Sequence, residues 1–145
     1  MFKRLLLIVT MIMSLVPLVS AATTQTVYKF GSMKVLVIEW TAETDGSFIS
    51  ATTNAINGVV ALVETKPGST APTSLYDVTL KNNNNYDIMG GKLSDRSAVI
   101  TEAVVPYDSV NDLYLTHPVR GPLTIDITNN SVNSATGSII IYYFN

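Results

Sequence analysis

The sequence predicts an all-β protein: a single antiparallel β-sandwich, immunoglobulin-like or jelly-roll-like, over residues 22–145, preceded by a signal-like apolar segment at residues 1–21. Three observations carry this expectation. After residue 22 no apolar pattern keeps a helical period; apolar residues come in short runs or in strict alternation. Clusters of Gly, Pro, Asn, Asp and Ser separate them at intervals of roughly 8 to 12 residues, the turn spacing of sandwiches and jelly rolls. The segments between are rich in Val, Ile, Thr, Tyr and Phe, which fit a pleated, half-buried surface, and they amount to about seven to nine short strands.

The elements follow in order. MKVLVIEWTA (33–42) and GVVALVET (58–65) are nearly continuous apolar runs, as expected for central strands covered on both faces. YDVTL (76–80) alternates, with Tyr76, Val78 and Leu80 on one face and Asp77 and Thr79 on the other. Four asparagines, Asn82 to Asn85, follow it, and a second tripeptide, Tyr86-Asp87-Ile88, echoes Tyr76-Asp77-Val78. Asparagine tolerates left-handed backbone better than other non-glycine residues, so the tract predicts a tight loop joining two arms of a hairpin. Gly90-Gly91 predicts a bulge or sharp corner, because KLSDRSAVITEAVV (92–105) alternates like a strand and offers no helix N-terminus to a phosphate. LTIDIT (123–128) alternates cleanly. The closing GSIIIYYF (137–144) predicts a strand that pairs centrally or lies against a partner.

Lys3 and Arg4 lead an apolar run over residues 5–19, and Val19-Ser20-Ala21 puts small residues where a signal peptidase reads, so cleavage after Ala21 is expected. A run of about 15 residues is short for the roughly 20 that cross a bilayer, which disfavours a retained anchor and stable membrane insertion after cleavage. Cleavage leaves 124 of the 145 residues, a single domain's worth of chain. Without cysteine, no disulfide helps the core. Removing Lys3 and Arg4 from nine basic residues leaves seven against eleven acidic ones, a formal charge of −4. The basic residues form no patch, which argues against nucleic acid as a partner.

Candidate chemistry is sparse. Asp77, Asp87 and the asparagine tract offer oxygens to calcium, but no carboxylate lies between the two aspartates, whereas calcium loops recruit several. Asp95-Arg96 reads as a loop ion pair, with an interface contact as the alternative. His117 is the only histidine and stands beside Pro118 with no nucleophile pattern, so a structural role is expected and no catalytic residue is assigned. One histidine and no cysteine argue against a zinc or transition-metal site, and no cofactor is expected. Trp40 could stack on a sugar, but its place in the most apolar run favours the core. Asn129-Asn130-Ser131 is a sequon of consequence only in a glycosylating host.

Several segments together resemble a group of small, mostly uncharacterised proteins of tailed bacteriophages and prophages: the loop PGSTAPT leading to YDVTL, the stretch GGKLSDRS, and NSVNSATG before the last strand, within a likeness over residues 39–143. The resemblance implies a virion structural protein, a small sandwich present in many copies as a capsid decoration or head or tail accessory. It also implies that there is no reaction and no cofactor, that the partners are copies of itself and other virion proteins, and that the location is the virion. The residues themselves leave open an exported binding module for surfaces or glycans, secreted or periplasmic, and a small secreted enzyme. Ile139 to Phe144 are six consecutive large apolar residues whose two faces both want cover, from a second sheet of the same domain or from a neighbouring subunit; in the virion reading the cover is a partner, a homo-oligomer is expected, and Tyr142, Tyr143 and Phe144 are the candidate assembly surface.

Expressed in a bacterium, the chain is expected to lose residues 1–21. Intact mass of periplasmic and cytoplasmic fractions checks this, and full-length protein in the soluble cytoplasm or in particles contradicts it.

Overall fold

The computed structural model describes residues 22–145, so the expected signal segment and its cleavage site lie outside the described residues. No helix occurs among them. Eleven strands form: β1 (Ala22–Phe30), β2 (Met33–Thr41), β3 (Ala51–Thr52), β4 (Ile56–Pro67), β5 (Asp77–Lys81), β6 (Glu102–Val104), β7 (Tyr107–Asp108), β8 (Leu113–Tyr114), β9 (His117–Gly121), β10 (Thr124–Thr128) and β11 (Thr136–Phe144). Every pairing is antiparallel.

The larger sheet runs β1-β2-β11-β4, and the far edge of β4 is shared by β9 along residues 56–60 and β6 along residues 63–65. A smaller sheet has the order β3-β10-β5, and β7 and β8 make a separate hairpin. The alternating runs dictate the faces. Leu36, Ile38 and Trp40 of β2, Ile139 and Ile141 of β11 and Val63 of β4 turn inward from the larger sheet, meeting Val78, Leu80, Ile125 and Ile127 of the smaller one in a single core.

β11 is central, as its composition predicts. It pairs with β2 from Thr136↔Thr41 to Phe144↔Met33 and with β4 from Gly137↔Pro67 to Phe144↔Val59. The register against β4 slips between Tyr142↔Leu62 and Tyr143↔Val60, so Ala61 is an extra residue, a bulge that bends the long strand and lets its two halves take different outer partners. Gly137 faces Trp40 across the β2–β11 ladder, and a Cβ there would lie 2.7 Å from the indole ring.

Two expectations need correction. Tyr86-Asp87-Ile88 is not a full second arm of a hairpin: the pairing goes no further than the Lys81↔Asp87 bridge, with bonds from Asn82 N to Tyr86 O and from Ile88 N to Leu80 O (both 2.9 Å). Ile88 and Met89 are both fully buried, which strand alternation forbids, and the Asp87 carboxylate accepts the N–H groups of Met89 (3.1 Å) and Gly91 (2.7 Å), closing turns instead. Nor is 92–105 one strand. Gly90, Gly91 and Asp95 have φ of 56°, 79° and 55°, and such left-handed residues break extension until Glu102–Val104. The asparagine loop itself forms as expected: Asn82 Oδ1 accepts from Asn84 N (2.9 Å) and Tyr86 N (3.1 Å), and Asn85 sits at φ 60°.

Gly137→Ala is expected to destabilise the protein by about 1–3 kcal/mol in urea unfolding, because the added methyl overpacks against Trp40. In a Trp40→Leu background the same substitution is expected to cost much less, the non-additivity of residues in contact.

Candidate interaction surface

The inner face of the larger sheet is used up by the core; its outer face carries as many apolar side chains. Register aligns them in rows across four strands. Tyr28, Val35, Tyr142 and Leu62 are successive cross-strand neighbours, and so are Phe30, Met33, Phe144 and Val59. Val37 and Ile140 pair in the next row. Beyond it the face turns polar, where Ser138 Oγ donates to Glu39 at 2.7 Å. With strands about 4.8 Å apart and same-face residues about 6.8 Å apart, these ten apolar positions span roughly 330 Å² in projection. On a soluble protein an apolar patch of that order is often a functional surface.

The smaller sheet lies against the other side, so no layer of the described residues covers this face. Phe30 is 60% exposed, Tyr28 51% and Phe144 44%, whereas Val35 between them is shielded to 8% by its large neighbours. Tyr28, Phe30, Met33, Val35 and Tyr142 line a shallow depression of about 430 Å³. The Tyr142 hydroxyl is tied down: its Oη donates to Glu64 at 3.2 Å, and burial together with that carboxylate raises the phenol's pKa.

Alternation along β11 divides the candidate trio. Tyr142 and Phe144 stand on the outer face, while Tyr143 turns inward between Lys34 and Val60 and is 5% exposed, its pKa raised by burial. The other half of the surface comes from β1 and the start of β2. The signal for it was in VYKF and MKV: Tyr28 and Phe30, then Met33 and Val35, share a face once the two-residue turn Gly31-Ser32 folds one strand on the other.

The remaining candidates have structural contacts. Trp40 is buried, edge-on to Phe48 with ring centroids 6.0 Å apart. Arg96 pairs with Glu102 (3.8 Å) and donates to Ser94 O from Nε and Nη2, while Asp95 N donates to Asp77 at 2.8 Å. Asp77 also accepts from the Asn129 amide. Among the described residues no three His, Cys, Asp or Glu side chains gather as a metal site would require. His117 stacks on Tyr86, centroids 5.5 Å apart and planes 19° from parallel. Lys92 Nζ lies 4.1 Å above the Tyr107 ring and 5.4 Å from the Tyr114 ring. No family model, curated protein or solved structure matches the chain.

Burial depresses the pKa of His117, with the nearby Asp108 carboxylate opposing it more weakly. A depressed histidine binds its proton more readily in the unfolded chain, so its contribution to stability is present above about 6.5 and is lost as pH falls through that range. Melting temperature is expected to fall across this window in the parent and less so in His117→Phe, which keeps a ring against Tyr86. The Asp126 carboxylate, held below its usual pKa by the Ser50 hydroxyl and then by Lys81 (3.2 Å), gives a separate loss only in more acid solution.

Proposed function

We propose that this protein is a non-enzymatic structural component that acts by protein–protein contact, with the outer face of its larger sheet as the contact. The single observation that carries the reading is the open field of Tyr28, Phe30, Met33, Tyr142 and Phe144 around the shielded Val35, large apolar side chains that gain by being covered. The fold is a β-sandwich in this reading, its two sheets enclosing one core, and a sandwich leaves the outer faces of both sheets free for partners. The resemblance of the sequence to bacteriophage structural proteins supports a virion as the setting of this contact, with the protein as a capsid decoration or a head or tail accessory and other virion proteins and further copies as its partners. Chemistry by turnover draws no support from the side chains: His117 stacks on Tyr86, and the carboxylates of Asp77, Asp87 and Asp126 are spent on turns and cross-strand links.

A second reading, the exported module that binds surfaces or glycans, is favoured by two aromatic pairs, Tyr86 with His117 and Tyr107 with Tyr114, the second pair forming a cluster with Lys92 over its rings. Exposed rings with a cation and nearby aspartates suit a polar ligand. Glycan binding that is lost in Tyr114→Ala and kept in Phe144→Asp would move the function to that cluster.

Phe144→Asp and Tyr142→Asp, made separately, are expected to abolish incorporation into particles, read by co-sedimentation. Phe144→Asp should cost less than about 1 kcal/mol of stability, since its side chain is exposed. Tyr143→Asp puts a carboxylate into the core and is expected to unfold the domain. Incorporation of Phe144→Asp at parental level overturns the outer face as the contact.

A further inference from the structure

Among the described residues β1 is the edge of the larger sheet, and the side of it that pairs with none of them can be identified residue by residue. The turn to β2 has two residues, with Gly31 at φ 63° and Ser32 outside the left-handed region, the arrangement of a type II′ hairpin. Its closing pair, Phe30↔Met33, exchanges hydrogen bonds, and the exchange recurs at every second pair. The other side of β2 has the complementary phase: Ala42 N donates to Ala135 O (2.8 Å) and Asn145 N to Ser32 O (3.3 Å), so even-numbered residues there face β11. Thr24, Thr26, Tyr28 and Phe30 therefore bond to β2. The N–H and C=O groups of Thr23, Gln25, Val27 and Lys29 project from the open edge.

Soluble proteins blunt such edges with charge, proline, bulges or shortness. β1 is nine residues long, pairs with β2 without a bulge, has no proline and carries one charge, Lys29. The Gln25 amide donates to Thr52 O (2.8 Å) and accepts from Asn54 N (2.6 Å), clamping β1 to the end of β3 and the residues that leave the smaller sheet.

We propose that this edge is where a second copy of the chain docks, its own β1 running antiparallel to the first about a two-fold axis at Thr26, so that two larger sheets become one. The strand is self-complementary in that register. Gln25 of each copy faces Val27 of the other and Thr23 faces Lys29, so the four residues with free N–H and C=O groups on each strand meet their counterparts. Lys29 meets threonine and never a second lysine, which avoids the like-charge contact that a foreign or shifted strand has to escape by chance. Opposed residues of an antiparallel pair point to the same side, so the two open apolar faces lie on one side of the joined sheet. The inference rests on the reading that the protein works by contact, and supplies one of its partners.

Two kinds of variant of the full chain test it. Val27→Pro removes an N–H that faces the edge and none that bonds to β2, and proline is tolerated on edge strands. Thr26→Cys places a lone thiol opposite its own copy in a chain that has no cysteine, in a non-bonded pair whose Cα atoms are about 4.5 Å apart, within disulfide reach. Thr24→Cys faces Tyr28 instead and puts the two thiols about four residues, roughly 14 Å, apart. Light scattering after size exclusion is expected to give a dimer for the parent and for Phe144→Asp, and half that mass for Val27→Pro with an unchanged circular dichroism spectrum. Mild oxidation is expected to link Thr26→Cys into a covalent dimer and to leave Thr24→Cys unlinked. A folded Val27→Pro dimer, equal behaviour of the two cysteine variants, or a monomeric parent overturns the proposal; if Val27→Pro fails to fold, the cysteine pair decides. Should Phe144→Asp be the monomer while Val27→Pro remains a dimer, the edge proposal fails and the contact function stands. Should the parent be monomeric and absent from particles, both fail.

Discussion

The structure depends on β11 being paired along its whole length on both sides. A strand with neighbours on both edges has no freedom of register, since a slip of one residue would exchange every inward side chain for an outward one. Ile139 and Ile141 are thereby committed to the core, opposite Ile38 and Leu36 on one side and Thr65 and Val63 on the other. Two local features keep this arrangement in phase. Gly137 leaves room for the Trp40 ring, which no side chain at that position could do without displacing it. Ala61 absorbs one residue of β4, so that its halves present Val60 and Val63 to the same core although they are an odd number of residues apart.

The unequal widths of the two sheets set what remains exposed. Three short strands cannot cover a sheet whose principal strands number four and whose far edge takes two more. β1 is therefore held at the margin by Gln25 rather than by a covering layer, and Val27, on its inner side, stays 37% exposed. The outer face has no layer at all among the described residues. Its apolar rows and the free edge of β1 are neighbouring consequences of one geometric fact, and both favour association over solitary existence.

Polar side chains in this molecule shape the chain. Asn82 and Asp87 organise successive turns, Asn130 accepts from Thr73 N (2.9 Å) and donates to Gly46 O (2.7 Å), and Thr53 Oγ1 accepts from Leu123 N at 2.9 Å within the interior. Backbone groups in loops need partners as much as those in strands do, and a domain with long irregular connections draws them from its Asn, Asp and Thr residues. That use accords with the finding that the Asp, Glu and His side chains among the described residues gather into no group of three that could hold a metal.

By itself the sequence determined the β class, the central strands at β2, β4 and β11, the alternating β5 and β10, and the left-handed asparagine turn, because each rests on local periodicity or on one residue's backbone preference. It could not distinguish a strand from a run of turns in 86–101, where Ile88, Met89 and Leu93 are buried by folding back over the core and not by alternation. The outer surface was only half legible. Tyr142, Tyr143 and Phe144 stood together as a run, and pairing alone assigned Tyr143 to the interior and joined Tyr142 and Phe144 to Tyr28 and Phe30, more than a hundred residues earlier in the chain. Tertiary structure decided this because a strand's sequence specifies which residues share a face, while which face is buried depends on where the second sheet lands.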